Sequence, residues 1–485
     1  MTEHLVLNYI DGRKVPAIDR KTFENINPAT GQVIGECPRS QLEDADAAVL
    51  SSERAYKVWS KTPLAERSAV LEKTASLIES RLEEFARAES RDTGKPIAVS
   101  MAVDIPRSVA NLRFFASAVR HDQTGCHAMD DALNYTTRSP VGVFALVTPW
   151  NLPLYLLTWK LSPALIMGNA VVAKPSEMTP TTATLLAEVL TEAGLPDGVF
   201  NVVHGFGAEI GGPLVSHPVI RGVSFTGGTS TGRVVAQAAI GDFKKLSLEL
   251  GGKNATIVFA DADLETTLAG ITRASFLNQG QICLCGSRIF IERSVFNTYR
   301  DGLIKRAEAM KIGDPLEGTT QLGALVSHAH RDKVASYCEL ALEEGGEILT
   351  GGKPPNFGTD LDQGAWFQPT VVSGVSVASR CATEEIFGPF VTLHPFDDVD
   401  EVIEAANSVE YGLAASVWTQ DVKKAHRVSA ALECGMVWVN TWLHRDLRVP
   451  FGGIKASGIG HEGGEYSLDF YSEAKNICIY TGPSN

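Results

Sequence analysis

The sequence predicts an α/β fold built on two parallel sheets. Between residues 141 and 259, short apolar runs such as Val141–Val147, Ala170–Lys174 and Gly222–Thr226 alternate with runs of helical periodicity. Apolar strands that alternate with helices are typical of a parallel sheet covered by helices on both faces. A second alternation begins after about residue 260 and predicts a second α/β unit.

The N-terminal part of the chain carries turns followed by helical patterns. Tyr9–Gly12 and Asn27–Gly31 have the composition of turns. The runs Leu42–Trp59, Leu64–Thr93 and Ile97–Val119 place apolar residues at steps of three and four, and this spacing predicts three helices.

The two alternations supply the remaining elements. In the first, we expect a helix that ends near Met167, a helix over Pro180–Ala193, and strands over Val199–Val203, Leu246–Glu249 and Thr256–Phe259. In the second, we expect helices near 264–277, 294–310, 327–344, 398–408 and 421–432, and strands near 287–292, 412–419 and 435–439. The composition of Gly351–Gly364 predicts a surface loop. The alternation in Leu133–Arg138 predicts a strand, and that in Ser472–Tyr480 predicts an edge strand.

Charge and composition exclude several classes of function. The chain has 485 residues and a formal net charge of −14, so no nucleic-acid partner is expected. The sequence opens without a basic, apolar leader. Its most apolar window, Leu152–Ala173, is interrupted by Pro, Lys and Asn, so no membrane association is expected. The cysteines show no disulfide-framework spacing, which favours a reducing, cytoplasmic location.

The stretch Phe276–Cys283 carries the strongest chemical signal in the sequence. Gly280 permits a tight bend that would present the Cys283 thiol just before a strand. Taken alone, Cys283 has the features of a small buried hydrophobe, the usual fate of a free cysteine. A thiol is also well suited to covalent attack on a carbonyl, because part of it is thiolate at neutral pH.

Two further polar residues have the chemistry that attack by Cys283 requires. Glu249 lies within the segment Leu-Ser-Leu-Glu-Leu-Gly-Gly, where a carboxylate is costly to bury unless a function uses it, and it could activate water as a general base. Asn151 stands between two prolines. Its amide is a candidate oxyanion donor, although, taken alone, Asn151 is better explained by a turn or capping role. Cys285 has no partners at zinc spacing, so no metal is expected.

Glycine-rich turns and a Lys–Glu pair are the candidate cofactor contacts. Gly205–Gly211 and Gly227–Gly232 each follow a predicted strand, and the second opens a helical run whose free N–H groups suit a pyrophosphate. Lys174 and Glu177 lie at the end of another strand, where parallel sheets bind ligands, and they could contact ribose hydroxyls. Ordinary strand-to-helix turns and a solvated ion pair are the alternatives.

Three motifs in a fixed order, Thr148–Pro153, Leu246–Lys253 and Phe276–Cys283, resemble those of the NAD(P)-dependent aldehyde dehydrogenase superfamily. The resemblance runs from about Asn27–Gly31 to Pro450–Gly453 and covers nearly the whole chain. It implies a Rossmann-like cofactor domain, a catalytic domain and a small β oligomerisation element. We expect the cofactor domain at residues 1–120 and 140–255, the catalytic domain at 256–455, and the oligomerisation element at 121–139 and 466–485.

The resemblance also implies roles for individual residues. Cys283 would be the nucleophile, Asn151 an oxyanion donor together with the Cys283 backbone N–H, and Glu249 the base that activates water. The expected cofactor is NAD, and its implied contacts are Trp150, Lys174, Glu177, Gly207, Gly227, Gly232, Glu385 and Phe387. Family members often have Ser where this chain has Gly228, so a side-chain phosphate contact is missing here while the backbone contacts remain.

Within the superfamily, the sequence is most similar to 2-aminomuconic and 2-hydroxymuconic semialdehyde dehydrogenases. The similarity is carried by Asp104–Ser108, Trp150–Lys160, Ile282–Cys285 and Asn440–Asp446. It implies oxidation of a semialdehyde to a dicarboxylate, as in tryptophan catabolism through kynurenine. Arg107 and Arg445 would bind the substrate carboxylate, with Arg448 as a competitor for the second role. The alternative is that each is a surface arginine paired with a neighbour such as Asp104 or Asp446. Retinal, betaine aldehyde or a general aliphatic aldehyde is the alternative substrate, and a homodimer or homotetramer is expected.

Two alternatives from other classes share part of this pattern. A thioester-forming hydrolase or acyltransferase would use Cys283 without nicotinamide, but it normally needs a histidine base, and no His lies in a recognisable partner motif. A catalytically silent binding protein would not need the complete set of Asn151, Glu249 and Cys283. A cofactor-dependent absorbance change at about 340 nm separates the three possibilities.

Overall fold

The first of two large sheets is formed mainly by the N-terminal half of the chain, in a computed structural model that describes residues 6–482. Its eight strands, in their order across the sheet, are Arg13–Val15, Asn8–Ile10, Phe200–Val202, Ala170–Lys174, Val143–Val147, Ile220–Thr226, Lys245–Glu249 and Gly458–Ile459. The central five strands are parallel, and the strands at both edges are antiparallel. Apolar side chains on both faces are buried under helices, as continuous apolar strands predict.

The second sheet has seven strands and confirms the second α/β unit. In order across the sheet they are Glu347–Thr350, Thr370–Ser373, Phe390–Phe396, Arg288–Glu292, Ala255–Val258, Ala414–Trp418 and Met436–Val439. All neighbouring pairs are parallel except the first. The first three strands were not predicted: two have only four residues, and the third contains Pro395.

A three-stranded sheet joins two distant parts of the chain. Ser472–Tyr480 pairs along its whole length with Ala132–Pro140, which also pairs with Cys126–Ala128. Both predicted strands are therefore confirmed, with Ser472–Tyr480 at an edge of the sheet and Ala132–Pro140 at its centre. Two small two-stranded sheets pair Thr22–Ile26 with Val33–Pro38 and Tyr411–Gly412 with Ile454–Lys455.

Helices cover the sheets, and most predicted helices are confirmed to within a few residues. The α-helices are Leu42–Trp59, Leu64–Ser80, Leu82–Thr93, Ile97–Val99, Ile105–Ala118, Pro153–Ile166, Thr181–Ala193, Gly212–Ser216, Thr229–Ile240, Leu264–Phe276, Phe296–Glu308, His328–Glu343, Arg380–Thr383, Val399–Asn407, Val422–Ala431 and Gly464–Phe470. Short 3₁₀ or π turns are Ser100–Asp104, Val119–His121, Gly207–Gly211, Leu277–Gly280, Arg293–Val295 and Asp360–Gln363. Within residues 6–482, none of the helices has the length and apolar content to span a bilayer.

Two predicted helices are wrong in detail. The run predicted over Leu64–Thr93 is two helices, because Arg81 leaves helical geometry at φ −110° and ψ 24°. The run predicted over Ile97–Val119 contains the π turn Ser100–Asp104. Neither change interrupts the apolar periodicity, so the pattern alone did not reveal them.

Candidate active site

A cleft of about 220 Å³ opens at the carboxyl edge of the first sheet. One wall is formed by residues that directly follow three parallel strands, namely Asn151, Gly227 and Gly251. This edge of a parallel sheet is where ligands bind in folds of this class. The other wall comes from the second α/β unit and contains Cys283, His330, Lys333, Glu385 and Phe387.

The loop that presents Cys283 depends on glycine at position 280, as the sequence predicted. Gly280 has a φ of 70°, and a Cβ there would lie only 2.1 Å from the carbonyl oxygen of Gly388. Asn278 and Gln279 also have left-handed backbone, with φ of 52° and 56°. Left-handed backbone is costly for residues with a Cβ, so the surrounding contacts hold this bend in place.

Contacts from the strand exit after Glu249 fix the cysteine backbone. The Asn254 side-chain amide donates to the carbonyl oxygens of Cys283 and Cys285, at 2.7 and 2.9 Å. A Cβ at Gly252 would lie 2.7 Å from the same Cys283 oxygen, so glycine is required for this approach. The two sequence motifs are therefore parts of one structural unit.

The Cys283 side chain is half-buried and lines the cleft, while Cys285 is buried. Burial raises the pKa of the Cys283 thiol, and the neighbouring carboxylates of Glu249 and Glu385 raise it further. The positive charge of Arg445 acts in the opposite direction on this pKa. The thiol is therefore protonated at rest, and its ionisation responds to charges that enter or leave the cleft.

Asn151 is buried and held at both its backbone and its side chain. Its side-chain Nδ2 donates to the carbonyl oxygen of Gln281 at 2.9 Å, and its own carbonyl accepts from Lys95 Nζ at 2.8 Å and from Asn278 at 3.1 Å. An amide nitrogen carries two hydrogens, so one donor of Nδ2 remains for a substrate oxygen.

Glu249 ends its strand and is buried, and its Oε1 atom has no hydrogen-bond partner among the described residues. Burial raises the pKa of this carboxyl well above its ordinary value, and the nearby Glu462 carboxylate raises it further. The charges of Lys160 and Arg445 oppose the shift. A raised pKa of this kind suits a carboxyl that takes up and releases a proton during a reaction.

Behind Glu249 lies a buried ion pair that the sequence reasoning missed. Lys160 Nζ lies 2.7 Å from Glu462 Oε1 and 2.9 Å from Ser224 Oγ. Lys160 is in the wholly buried helix Pro153–Ile166. A lysine in an apolar run is the same signal that singled out Glu249, so Lys160 could have been found in this way.

An aromatic cluster forms the part of the cleft next to Glu385. The Trp150 ring lies 5.2 Å from the rings of both His330 and Phe387. His330 Nε2 donates to the Phe387 carbonyl at 2.7 Å, and Phe387 has a left-handed φ of 63°. Glu385 Oε1 accepts from the Gly252 N–H at 2.9 Å. His330 was not predicted, since the predicted helix over 327–344 contains two histidines without a distinguishing motif.

Other predicted cofactor residues lie in and near a second groove. Glu177 lines this groove beside Phe206, and the exposed Gly207 follows Phe206 in the chain. Lys174 is buried, and its Nζ lies 2.9 Å from the Pro175 carbonyl and 3.3 Å from Glu177. The structure thus places Lys174, Glu177 and Gly207 apart from the residues of the cysteine cleft.

The residues of the cleft fit a phosphate-bearing dinucleotide. Gly228 is the N-cap of the helix Thr229–Ile240 without a side-chain cap, so the first N–H groups of that helix are available. A Cβ at Gly228 would meet nothing within 4 Å, and the buried Thr226 Oγ1 has no partner among the described residues. Gly232 differs from Gly227, because it lies within the helix, where a Cβ would be 2.4 Å from Leu250.

Arg445 is held over aromatic rings with part of its hydrogen-bonding capacity unused. Its guanidinium carbon lies 3.8 Å from the Phe451 ring centre and 4.3 Å from that of Trp159. Nη1 donates to the Tyr155 hydroxyl at 2.9 Å, while Nε and Nη2 are buried without a partner among the described residues. Arg107 lies over the other part of the same aromatic group, 6.0 Å from the Tyr155 ring centre.

The aspartates that could have neutralised these arginines have other partners. Asp104 is fully buried and pairs with Lys95 at 2.5 Å. Asp446 pairs with the exposed Arg448 at 2.5 Å, and this neighbour holds the pKa of Asp446 well below its usual range, while the charge of Arg107 adds a smaller contribution in the same direction. Arg448 is therefore occupied, and it is a weaker candidate than Arg445 for binding a ligand carboxylate.

Comparisons with known proteins agree with this geometry. The model of the aldehyde dehydrogenase family matches residues 15–477. A 2-aminomuconic 6-semialdehyde dehydrogenase from a Pseudomonas species is 48% identical over 97% of both chains, and a 2-hydroxymuconic semialdehyde dehydrogenase from Pseudomonas sp. strain CF600 is 46% identical over 98% of this chain and 99% of its own. The crystal structure of PnpE in complex with nicotinamide adenine dinucleotide superimposes with a TM-score of 0.96, at 39% identity over 98% of both chains.

Proposed function

Since this chain belongs to the aldehyde dehydrogenase family, we propose that its substrate is a semialdehyde that carries a carboxylate, of the 2-aminomuconate or 2-hydroxymuconate type, and that NAD is its cofactor. The activity itself is the oxidation of an aldehyde to a carboxylic acid. The catalytic roles below are proposed from the positions of the side chains in the cleft.

Cys283 is the nucleophile in this proposal. The thiol proton passes to solvent water, the sulfur attacks the aldehyde carbon to form a C–S bond, and the carbonyl electrons move onto oxygen. The free Nδ2 hydrogen of Asn151 and the backbone N–H of Cys283 stabilise that oxyanion. When bound, NAD supplies the acceptor for the hydride that leaves as the C=O bond re-forms. The product on the enzyme is a thioester of Cys283.

Glu249 completes the reaction by taking a proton from water, which attacks the thioester carbon and releases the Cys283 sulfur. Its buried, unpartnered Oε1 and its raised pKa suit this exchange. Lys160 and Glu462 lie behind it and set the charge that it experiences.

The predicted cofactor residues form two groups in this proposal. Trp150, Gly227, Glu385 and Phe387 line the cleft that contains Cys283, which suits the nicotinamide half. Lys174, Glu177 and Gly207 lie in or beside the second groove, which suits the adenosine half. Gly232 supports the turn by close packing rather than by lining the cleft.

The substrate proposal depends on one observation. Arg445 presents two unpartnered donors, Nε and Nη2, and its charge lowers the pKa of both Cys283 and Glu249. A guanidinium edge of this kind matches a carboxylate with two parallel hydrogen bonds. An uncharged aldehyde would leave these donors without partners, which is costly in a buried site.

The test compares a muconic semialdehyde with hexanal. A charge-assisted bond contributes about 1.5–3 kcal/mol, so Arg445→Ala should lower kcat/KM for the semialdehyde about 10- to 150-fold, chiefly through KM, and leave hexanal within about threefold. Arg107→Ala should have the same sign and a smaller effect, because Arg107 lies farther from the aromatic group. Arg448→Ala is the matched control from the same loop. Equal losses on both aldehydes would show that Arg445 is structural and favour a general aliphatic substrate.

Assembly and location are proposed from exposed apolar side chains, the three-stranded sheet and the cysteines. The helix Thr229–Ile240 and the turn after it expose Val234, Ile240 and Phe243, and the last is 92% exposed. Single apolar side chains are common on surfaces, but three on one segment favour burial in a homodimer or homotetramer. The predicted oligomerisation element contains the paired strands Ala132–Pro140 and Ser472–Tyr480. All eight cysteines are free, which supports a cytoplasmic location.

The two large sheets support the predicted division into domains. The first sheet lies within 1–120 and 140–255 except for its edge strand Gly458–Ile459, and the second sheet runs from Ala255 to Val439. We propose the division on this basis, with the three-stranded sheet as the third unit.

A further inference from the structure

We propose that Lys95, together with Glu89 and Asp104, positions Asn151 so that its amide points at the oxyanion. This inference deepens the proposed function and rests on the oxyanion role of Asn151. The three residues lie in the N-terminal helical segment and form no part of the cleft lining.

Lys95 is anchored by three oxygens and uses its whole donor capacity. Its Nζ lies 2.8 Å from the Asn151 carbonyl, 2.5 Å from Asp104 Oδ2 and 3.3 Å from Glu89 Oε1. All three side chains of this cluster have no solvent exposure. An ammonium group has three hydrogens, so each oxygen receives one and the direction of the bond to Asn151 is fixed.

The same cluster also holds the chain just after Asn151. Glu89 Oε2 accepts from the backbone N–H of Leu154 at 3.3 Å, in the first turn of the helix Pro153–Ile166. Lys95 therefore fixes the peptide at residue 151 by a hydrogen bond, and Glu89 fixes the start of the helix three residues later in the same way. The short segment between the strand and the helix has contacts at both ends.

The cost of this cluster indicates a purpose other than stability. Two carboxyls and one ammonium lie in a dry interior, and burial raises the pKa of both Glu89 and Asp104 against the opposing charge of Lys95. Replacing a buried ionic cluster with apolar residues is often neutral or stabilising, so such a cluster is weak evidence for stability. Asp104 also ends the π turn Ser100–Asp104, an irregularity that is frequent at functional sites.

The geometry shows how a change at Lys95 would reach the reaction. Among residues 6–482, the Asn151 carbonyl has one other donor, the Asn278 side-chain amide, at 3.1 Å. Without Lys95 the peptide can rotate, and the amide then moves relative to the Cys283 sulfur. A misplacement of about 1 Å can cost about 100-fold in rate.

The test is a double-mutant cycle on the hydride-transfer step, measured in single turnover with saturating NAD. Asn151→Ala should lower the rate about 100-fold. Lys95→Met should lower it about 10- to 100-fold in the native background and less than about threefold in Asn151→Ala, with the Kd for NAD unchanged. A purely structural lysine would give the same loss in both backgrounds, which would overturn the inference.

Lys244→Met is the matched control. Lys244 is also a buried lysine, and it donates to the Val215 and His217 carbonyls at 2.7 and 2.8 Å on another part of the first unit. This variant should lose stability in urea while its hydride-transfer rate stays within about twofold of the native rate.

A second variant covers the case in which Lys95→Met does not fold. Asp104→Asn keeps the shape of the cluster and weakens the anchor of Lys95. It should slow hydride transfer about 3- to 10-fold, and this loss should vanish in Asn151→Ala. No loss, or a loss that persists in Asn151→Ala, overturns the inference. If Asn151→Ala itself transfers hydride at the native rate, the oxyanion role in the proposed function fails instead.

Discussion

Glu249 and Glu385 are carboxylates on two sides of Cys283, and their surroundings differ. Glu385 lies in the loop before Phe390–Phe396, where its Oε1 accepts from the Gly252 N–H at 2.9 Å. Glu249 ends a strand of the first sheet, and its Oε1 has no partner among the described residues. Burial raises the pKa of both carboxyls. The charges that act on Glu385 are those of two lysines, whereas Glu249 has a second carboxylate, Glu462, in addition to the positive charges of Lys160 and Arg445.

The difference separates binding from proton transfer. A carboxylate that is already fixed by a backbone donor and by positive charge is a stable acceptor for the hydroxyls of a ligand. A carboxylate without a fixed partner, beside another negative charge, takes up and releases a proton at little structural cost. The two regions therefore predict different defects when each carboxylate is replaced by its amide.

The largest effect on activity is expected when Cys283, which lies between the two carboxylates, is replaced. Cys283→Ala should lower aldehyde oxidation by at least about 10⁴-fold, because no other group on the cleft wall can form the thioester. NAD binding should survive, since the thiol does not line the second groove, which suits the adenosine half. Turnover assays and NAD titration measure both.

Cys285→Ala is the control for Cys283. Cys285 is buried and does not line the cleft, so this variant should keep most of its activity. Labelling of Cys285 by a thiol reagent, with activity retained in Cys283→Ala, would reassign the nucleophile.

The second-largest effect is expected at Glu249, and it tests the comparison of the two carboxylates directly. Glu249→Gln should permit one round of hydride transfer and then stop, because no base activates water, so the steady-state rate should fall about 10²- to 10⁴-fold. Mass spectrometry of the intact protein should show an acyl adduct. A variant that loses the hydride step and forms no adduct would place Glu249 earlier in the reaction.

Glu385→Gln is the matched variant on the other side of Cys283. It should raise KM for NAD about 10-fold and accumulate no adduct, because the deacylation machinery is intact. If it traps the adduct as Glu249→Gln does, the two carboxylates do not have separate roles.

The features of the fold and of the cleft that depend on local sequence pattern could be predicted from the sequence. The strand Ala170–Lys174, the helix Leu42–Trp59 and the bend at Gly280 follow from periodicity and from the freedom of glycine, and all three are confirmed. The cleft could be inferred because residues after parallel strands meet at one edge.

The groups that tune the site could not be predicted in this way. Glu462 lies 213 positions after Glu249 (462 − 249), and Lys160 lies on another helix, so only the fold brings them together. The Lys95 cluster was missed for a related reason. Glu89 lies in the helix Leu82–Thr93, Lys95 in the short connection after it and Asp104 in a π turn, and their burial together depends on tertiary packing. His330 is one of two histidines in its helix turn, and only the structure distinguishes the one that reaches Phe387.

A smaller effect concerns pH. Glu249 acts as a base only after losing its proton, and its pKa is raised, so the deacylation rate should increase with pH through that raised pKa. Glu462→Gln removes a charge that raises this pKa, so the increase in deacylation rate should move to lower pH. Lys160→Met removes a charge that lowers this pKa, so the increase in deacylation rate should move to higher pH. The decay of the acyl adduct across pH 5–9 (a range of about four units around neutrality) measures both shifts. Shifts of the same sign would contradict the charge argument.

The smallest effect lies in the second groove, away from both carboxylates of the comparison. Glu177 lines that groove, and its carboxylate lies 3.3 Å from Lys174 Nζ, so a ribose placed there finds a hydrogen-bond acceptor at its hydroxyls. The 2′-phosphate of NADP would bring a like charge to the same carboxylate, so NAD should be preferred.

Because Glu177 is partly exposed, solvent screens this repulsion, and Glu177→Gln should narrow the ratio of kcat/KM for NAD over NADP by only about 10-fold. Glu24→Gln, an exposed glutamate on the same groove, should leave the ratio within about twofold. An equal change in both variants would assign the preference to the overall negative potential of the groove, and no change in either would show that the Glu177 carboxylate does not face the ribose.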